Sequence, residues 1–83
     1  MIIKGRQVAA ARELLGLNQE ELAVASGVAR NTLNRFEAGL GSPLPETLQK
    51  IQLELERRGI EFLNGEGIGV RLSYAKAESH ASR

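Results

Sequence analysis

Neither cysteine nor aspartate occurs among the 83 residues, and histidine appears once, as His80 in a polar tail. The missing thiols remove disulfides, thiolate nucleophiles and thiolate metal sites together, and suit a reducing compartment. Every carboxylate is a glutamate on an otherwise helical surface pattern. No metal cluster, catalytic triad, general acid–base pair or activated nucleophile can be nominated from such material, so a non-enzymatic protein without metal or cofactor is expected. Only three aromatics, Phe36, Phe62 and Tyr74, are available to a core. A domain this small is marginal without a staple, and oligomerisation is the one its composition favours. No apolar run approaches the roughly 20 residues of a membrane span, and the start Met1-Ile2-Ile3-Lys4 does not read as a secretory signal. A cytoplasmic protein with no membrane partner is the expectation. An excess of one charge is missing as well: 11 basic residues against 10 acidic ones leave +1. Affinity for nucleic acid must therefore be argued from where the charges sit.

What is present is a composition of 42% hydrophobic and 25% charged residues, which is that of one globular domain. Val8, Ala11 and Leu15 recur at i, i+3 and i+7, which predicts a first helix over Arg6 to Leu15 ended by Gly16. Asn18 is an N-cap acceptor, and Glu21 three residues on completes a capping box. A second helix starts there and stops before Gly27, with Leu22, Ala23 and Ser26 as a small packing face. Beyond the turn Ser26-Gly27-Val28-Ala29, Leu33 and Phe36 imply a third helix closed by Gly39. At 3.6 residues per turn, Ala29, Leu33, Phe36 and Glu37 fall on one side of it, and Arg30, Asn31, Asn34, Arg35 and Ala38 on the other. The outer face thus carries two arginines, two asparagines and no acid.

Pro45 suits the first turn of a fourth helix, with Leu48, Ile51 and Leu55 as its core stripe, Leu53 off that stripe and Gly59 as its stop. Lys50, Arg57 and Arg58 alternate along it with Glu46, Glu54 and Glu56, the pattern of a solvated, mutually paired face. Past Gly59 the period changes to 2. Ile60 and Phe62 alternate with Glu61, Asn64-Gly65-Glu66-Gly67 makes a turn, and Ile68, Val70 and Leu72 alternate with Gly69, Arg71 and Ser73. This predicts a β-hairpin that packs on the fourth helix or pairs with its copy in a second chain, since two strands alone are marginal. Leu53, Phe62, Ile68, Val70 and Leu72 are the candidate dimer residues. From Ala75 onward no apolar period remains, and a disordered tail is expected. The organisation is then a helical domain over 1–59, a dimerising hairpin over 60–74 and a tail over 75–83.

A helix, a glycine turn and a second helix with a polar, partly basic outer face is the sequence form of a helix-turn-helix, whose second helix enters the DNA major groove. The stretch Arg12-Glu13-Leu14-Leu15-Gly16-Leu17-Asn18-Gln19-Glu20-Glu21-Leu22-Ala23-Val24-Ala25-Ser26-Gly27-Val28, continuing through Thr32-Leu33-Asn34-Arg35-Phe36-Glu37-Ala38-Gly39, is similar to the Cro/cI-type repressors, also called the xenobiotic-response-element family. The resemblance implies a mainly α fold, a four-helix helix-turn-helix domain, here with the C-terminal hairpin replacing the family's fifth helix. It implies a sequence-specific regulator of transcription, a repressor in the simplest case, that binds double-stranded DNA as a homodimer.

By the same resemblance, Arg30, Asn31, Asn34 and Arg35 match the family's base-reading positions. Gln19 matches a glutamine that binds a phosphate or the first recognition-helix residue, and Asn18, Thr32 and Ser42 are further candidates for phosphate. Arg12 and Glu37 match an ion pair that ties helix 1 to helix 3. Two departures stand out. Ala29 occupies the place of a serine or threonine N-cap, and the loop Leu40-Gly41-Ser42 has no lysine or arginine. Two other readings fit the same residues: the DNA-binding half of a toxin–antitoxin pair, with the hairpin and tail holding the toxin, and a module that binds another regulator in place of DNA.

Overall fold

The computed structural model describes residues 2–81; Met1, Ser82 and Arg83 lie outside the described residues, as do the side chains from Glu78 onward, including that of His80. In chain order the elements are α1 (Gly5–Leu15), α2 (Gln19–Ser26), α3 (Arg30–Glu37), α4 (Pro45–Arg57), β1 (Ile60–Leu63), β2 (Gly69–Leu72) and α5 (Tyr74–Ala81). The first three helices end alike. The N–H of Leu17 donates to the Arg12 carbonyl (3.0 Å), that of Val28 to Ala23 (3.0 Å) and that of Leu40 to Arg35 (2.8 Å), each closing the last turn from five residues back. At the turn between α2 and α3 the backbone is left-handed at Gly27, φ +72°, a conformation that costs glycine nothing. At the other end of α2, Asn18 accepts from the Glu21 N–H (2.8 Å) while Glu21 accepts from the Asn18 N–H (2.9 Å).

Ile3, Val8, Ala11, Leu22, Ala23, Leu33, Phe36, Ile51 and Leu55 bring the inner faces of α1 to α4 into one core. Ile60 and Phe62 complete it from the hairpin, with Val70 and Leu72 packed on its margin. The strands pair with each other in antiparallel register, Ile60 opposite Leu72 and Phe62 opposite Val70. One side of this two-stranded sheet therefore closes the core of its own chain, resting on α1 as well as α4. Phe62, only 9% exposed, is a core residue there. Ile68 precedes β2 and is exposed, so it does not continue the alternation of Val70 and Leu72.

The hairpin is tied to α1 by a residue that no apolar pattern marks. Gln7 is 1% exposed. Its Oε1 accepts from the Lys4 N–H (2.8 Å), and its Nε2 donates toward the carbonyls of Gly69 (3.0 Å) and Leu63 (3.3 Å) and toward Asn64 Oδ1 (3.2 Å). Leu63 and Gly69 form the last register pair of the ladder, so the amide serves the carbonyls at the point where strand pairing stops. Gln7→Leu keeps the bulk but strands these groups without a donor, and an unmade buried hydrogen bond costs about 1–3 kcal/mol. The expected result is a lower urea midpoint with an unchanged slope; an unchanged midpoint would refute the role.

Where a disordered tail is expected from Ala75, the structure has a further helix, and the helix count among the described residues is five in place of four. The local signal is a cap rather than an apolar stripe: Ser73 Oγ accepts from the Lys76 N–H (3.3 Å), and the Ser73 carbonyl accepts from Ala77 N–H (2.9 Å). Alanine, lysine and glutamate then favour the helix. Its docking depends on Gly59 (φ +105°), whose carbonyl accepts from the Ser73 N–H (2.8 Å) and where a Cβ would come within 2.9 Å of Ala77 Cβ. Hydrogen bonds from Lys76 and Arg71 hold the Glu61 carboxyl below its ordinary range against slight desolvation, joining α5 to both strands. On α4, burial works against the charge of Glu54, but hydrogen bonds from Arg57 and Arg58 outweigh it and keep that carboxyl low.

Candidate nucleic-acid interface

The sequence of α3 separates into two faces. Leu33 and Phe36 are buried against the other helices, while Arg30, Asn31, Asn34 and Arg35 are all exposed on the opposite side. Ala29 caps the helix without a side-chain hydrogen bond, so its side chain satisfies none of the first-turn N–H groups. Among the described residues neither Arg30 nor Arg35 has a carboxylate partner. Both guanidiniums are thus available to an external anion or base edge. The loop after α3 folds back beside it, so that Thr32, Arg35, Leu40, Gly41 and Ser42 line one shallow cleft. Thr32 and Ser42, two of the expected phosphate ligands, therefore share a cleft with a guanidinium.

Arg12 and Glu37 lie 25 residues apart and form a bidentate pair, Nε to Oε2 and Nη2 to Oε1, both 2.8 Å. The remaining Arg12 nitrogen, Nη1, donates to the Leu17 carbonyl (2.9 Å), the residue that closes α1. The Glu37 hydrogen bond raises the Arg12 guanidinium still further above its ordinary range, against the effect of burial. Three elements meet at this pair: α1, the α1–α2 connection and the end of α3. Gln19 extends it outward, its Nε2 donating to Glu37 Oε1 (3.0 Å) and its Oε1 accepting from Asn34 Nδ2 (3.1 Å). The partners of Gln19 are thus Glu37 and Asn34, not the first residue of α3.

At the start of α2, the Asn18 carbonyl oxygen is committed to its cap, which leaves the side-chain Nδ2 as its donor toward a phosphate. Glu20 and Glu21 occupy the same first turn. An anion there would meet two carboxylates, which weakens the expected pull of the helix end. Of the residues proposed for a dimer contact, Leu53 is exposed in a groove with Ile2, Pro45 and Leu48, whereas Ile68 lines a different cleft with Gly5, Arg6 and Gly39. Val70 and Leu72 are half-buried, and Phe62 is buried.

One residue that places α3 escapes sequence reading. Gly5 opens α1 directly against the last turn of α3: a Cβ built on it would lie 1.9 Å from the Phe36 carbonyl oxygen and 3.1 Å from Glu37 Cα. A glycine at the start of a helix, where no turn requires it, is the only local hint.

Comparison with known families places this geometry in context. The helix-turn-helix family model HTH_3 matches residues 8–61, more than half of the chain, from within α1 into β1. No curated protein matches the chain.

Proposed function

The chain belongs to the Cro/cI-type helix-turn-helix family of DNA-binding transcription regulators, and on that premise we propose that it is a cytoplasmic repressor that binds an inverted-repeat operator as a homodimer. The observation that carries this reading is the outer face of α3, where Arg30, Asn31, Asn34 and Arg35 stand exposed. In the major groove an arginine can pair bidentately with guanine O6 and N7, and an asparagine with adenine N6 and N7. Thr32, Ser42, Asn18 and the backbone N–H groups of the loop would hold phosphates on either side, setting the depth and register of α3. The dimer contact would draw on Leu53 and Ile68, the exposed members of the apolar set. Two copies of α3 would then enter successive major grooves about one helical turn, ~10 bp, apart. Occupation of a promoter excludes polymerase without any further chemistry.

Selection from a randomised duplex pool, with sequencing of the bound fraction, tests the proposal. The expected outcome is a palindromic consensus whose affinity falls with salt. Arg35→Ala or Asn31→Ala should weaken the selected site roughly 5- to 150-fold, equivalent to about 1–3 kcal/mol, and relax preference at one base pair per half-site. Weak binding without sequence preference would instead favour a module that holds another protein, a reading to which the formal charge of only +1 lends support.

A further inference from the structure

We propose that the half-buried Arg12–Glu37 pair dictates which way the Asn34 amide faces, which makes Glu37 and Gln19 positioning residues for base selection by α3. The inference rests on the reading of α3 as the base-contacting helix. Four side chains, Arg12, Glu37, Gln19 and Asn34, form one chain of hydrogen bonds that runs from the interior to the exposed face. Its polarity has a single solution. Arg12 can only donate, and the Glu37 carboxylate that receives its two bonds, 6% exposed, can only accept. The Gln19 atom that faces Glu37 Oε1 at 3.0 Å is therefore its NH2 group, which turns the Gln19 carbonyl toward α3. That carbonyl can only accept, so Asn34 meets it at 3.1 Å with Nδ2.

An exposed asparagine on a helix ordinarily exchanges its carbonyl and NH2 by rotation about a broad terminal torsion. Asn34 is tethered, and with one Nδ2 hydrogen held by Gln19 it presents Oδ1 and the other Nδ2 hydrogen in a set order. A base edge that offers a donor and an acceptor in the matching order, as adenine N6 and N7 do, is accepted, and the reversed order meets like groups. The discrimination comes from pre-organisation by residues that need not touch the base.

Gln19→Leu cuts the tether and leaves Arg12 and Glu37 paired, so the fold is retained. Asn34→Ala first identifies the base pair that Asn34 reads, as the position whose preference it abolishes in the selected site. At that position Gln19→Leu is expected to reduce discrimination about tenfold while preferences elsewhere stay within twofold. Glu37→Gln, which permits either amide orientation in Gln19, should broaden the same position. The Gln19→Leu result stands by itself if Glu37→Gln does not fold. Unchanged discrimination at that position in folded Gln19→Leu overturns the proposal. So does a loss that is uniform over all positions with a reduced salt slope, because that marks Gln19 as a phosphate ligand only, and so does an Asn34→Ala variant that alters no base preference. A wild-type chain that selects no sequence fails at the earlier step, since it removes the DNA-reading premise itself.

Discussion

Replacing Gly5 with alanine should lower the stability of this protein by about 3 kcal/mol, at the upper end of what overpacking costs. The added methyl meets a backbone carbonyl at 1.9 Å, not the tip of a side chain that could swing aside. Relief requires α1 and the last turn of α3 to separate, which opens the core around Val8, Ala11 and Phe36. For a domain of this length each kcal/mol corresponds to roughly 4–8 °C in Tm, so the expected fall is about 12–24 °C by thermal unfolding. The same shift moves Glu37 and the outer face of α3, so affinity for a selected operator should fall even at temperatures where the variant is folded. A melting temperature within about 3 °C of the wild type would mean that α1 does not approach α3 so closely.

The second large effect is expected at Arg12. Removing one partner of a fully buried ion pair typically costs about 3–5 kcal/mol, because the other charge is left desolvated and unmatched, and this half-buried pair, its side chains 14% and 6% exposed, should fall at or below the low end of that range. In Arg12→Ala the Glu37 carboxylate retains only the Gln19 amide, and the Leu17 carbonyl at the end of α1 loses its side-chain donor. The net worth of the intact pair is much smaller, since burying two charges offsets most of their attraction. The double replacement Arg12→Met with Glu37→Leu should therefore recover most of the stability lost by Arg12→Ala, although it abolishes the tether to Gln19. Urea unfolding of the two variants separates these expectations. A single variant within about 1 kcal/mol of wild type, or a double variant as unstable as the single one, would contradict them.

Much of the molecule was legible in its amino-acid order, for a reason common to each case. The capping box of Asn18 and Glu21, the left-handed turn at Gly27, the start of α4 at Pro45 and the alternation of Ile60 and Phe62 with Glu61 are all decided within about five residues. Local hydrogen bonding and the helical or extended period suffice for such features. They were enough to separate the two faces of α3 and to predict the hairpin, whereas the family's fold was implied by resemblance. The pairing of Arg12 with Glu37 was accessible only through resemblance, because no local rule connects residues 25 positions apart.

Tertiary structure alone decided the remainder. Gln7 reaches Asn64 and Gly69 across 57 and 62 residues, and a polar residue on a helix carries no mark of being buried until the hairpin is laid against it. The helix at Tyr74–Ala81 lacks an apolar stripe, so its place depends on the gap left at Gly59 and on the Lys76–Glu61 contact. Hairpin residues that could have served a second chain, Phe62 above all, are drawn into the core of their own. The sequence by itself determined α1 to α4, the two strands and which side of α3 is polar. Only the packed chain decided how closely α1 meets α3 and which way the Asn34 amide faces. Both are set by distances of a few ångströms between elements far apart in sequence, where steric exclusion and donor–acceptor matching act and local propensity does not.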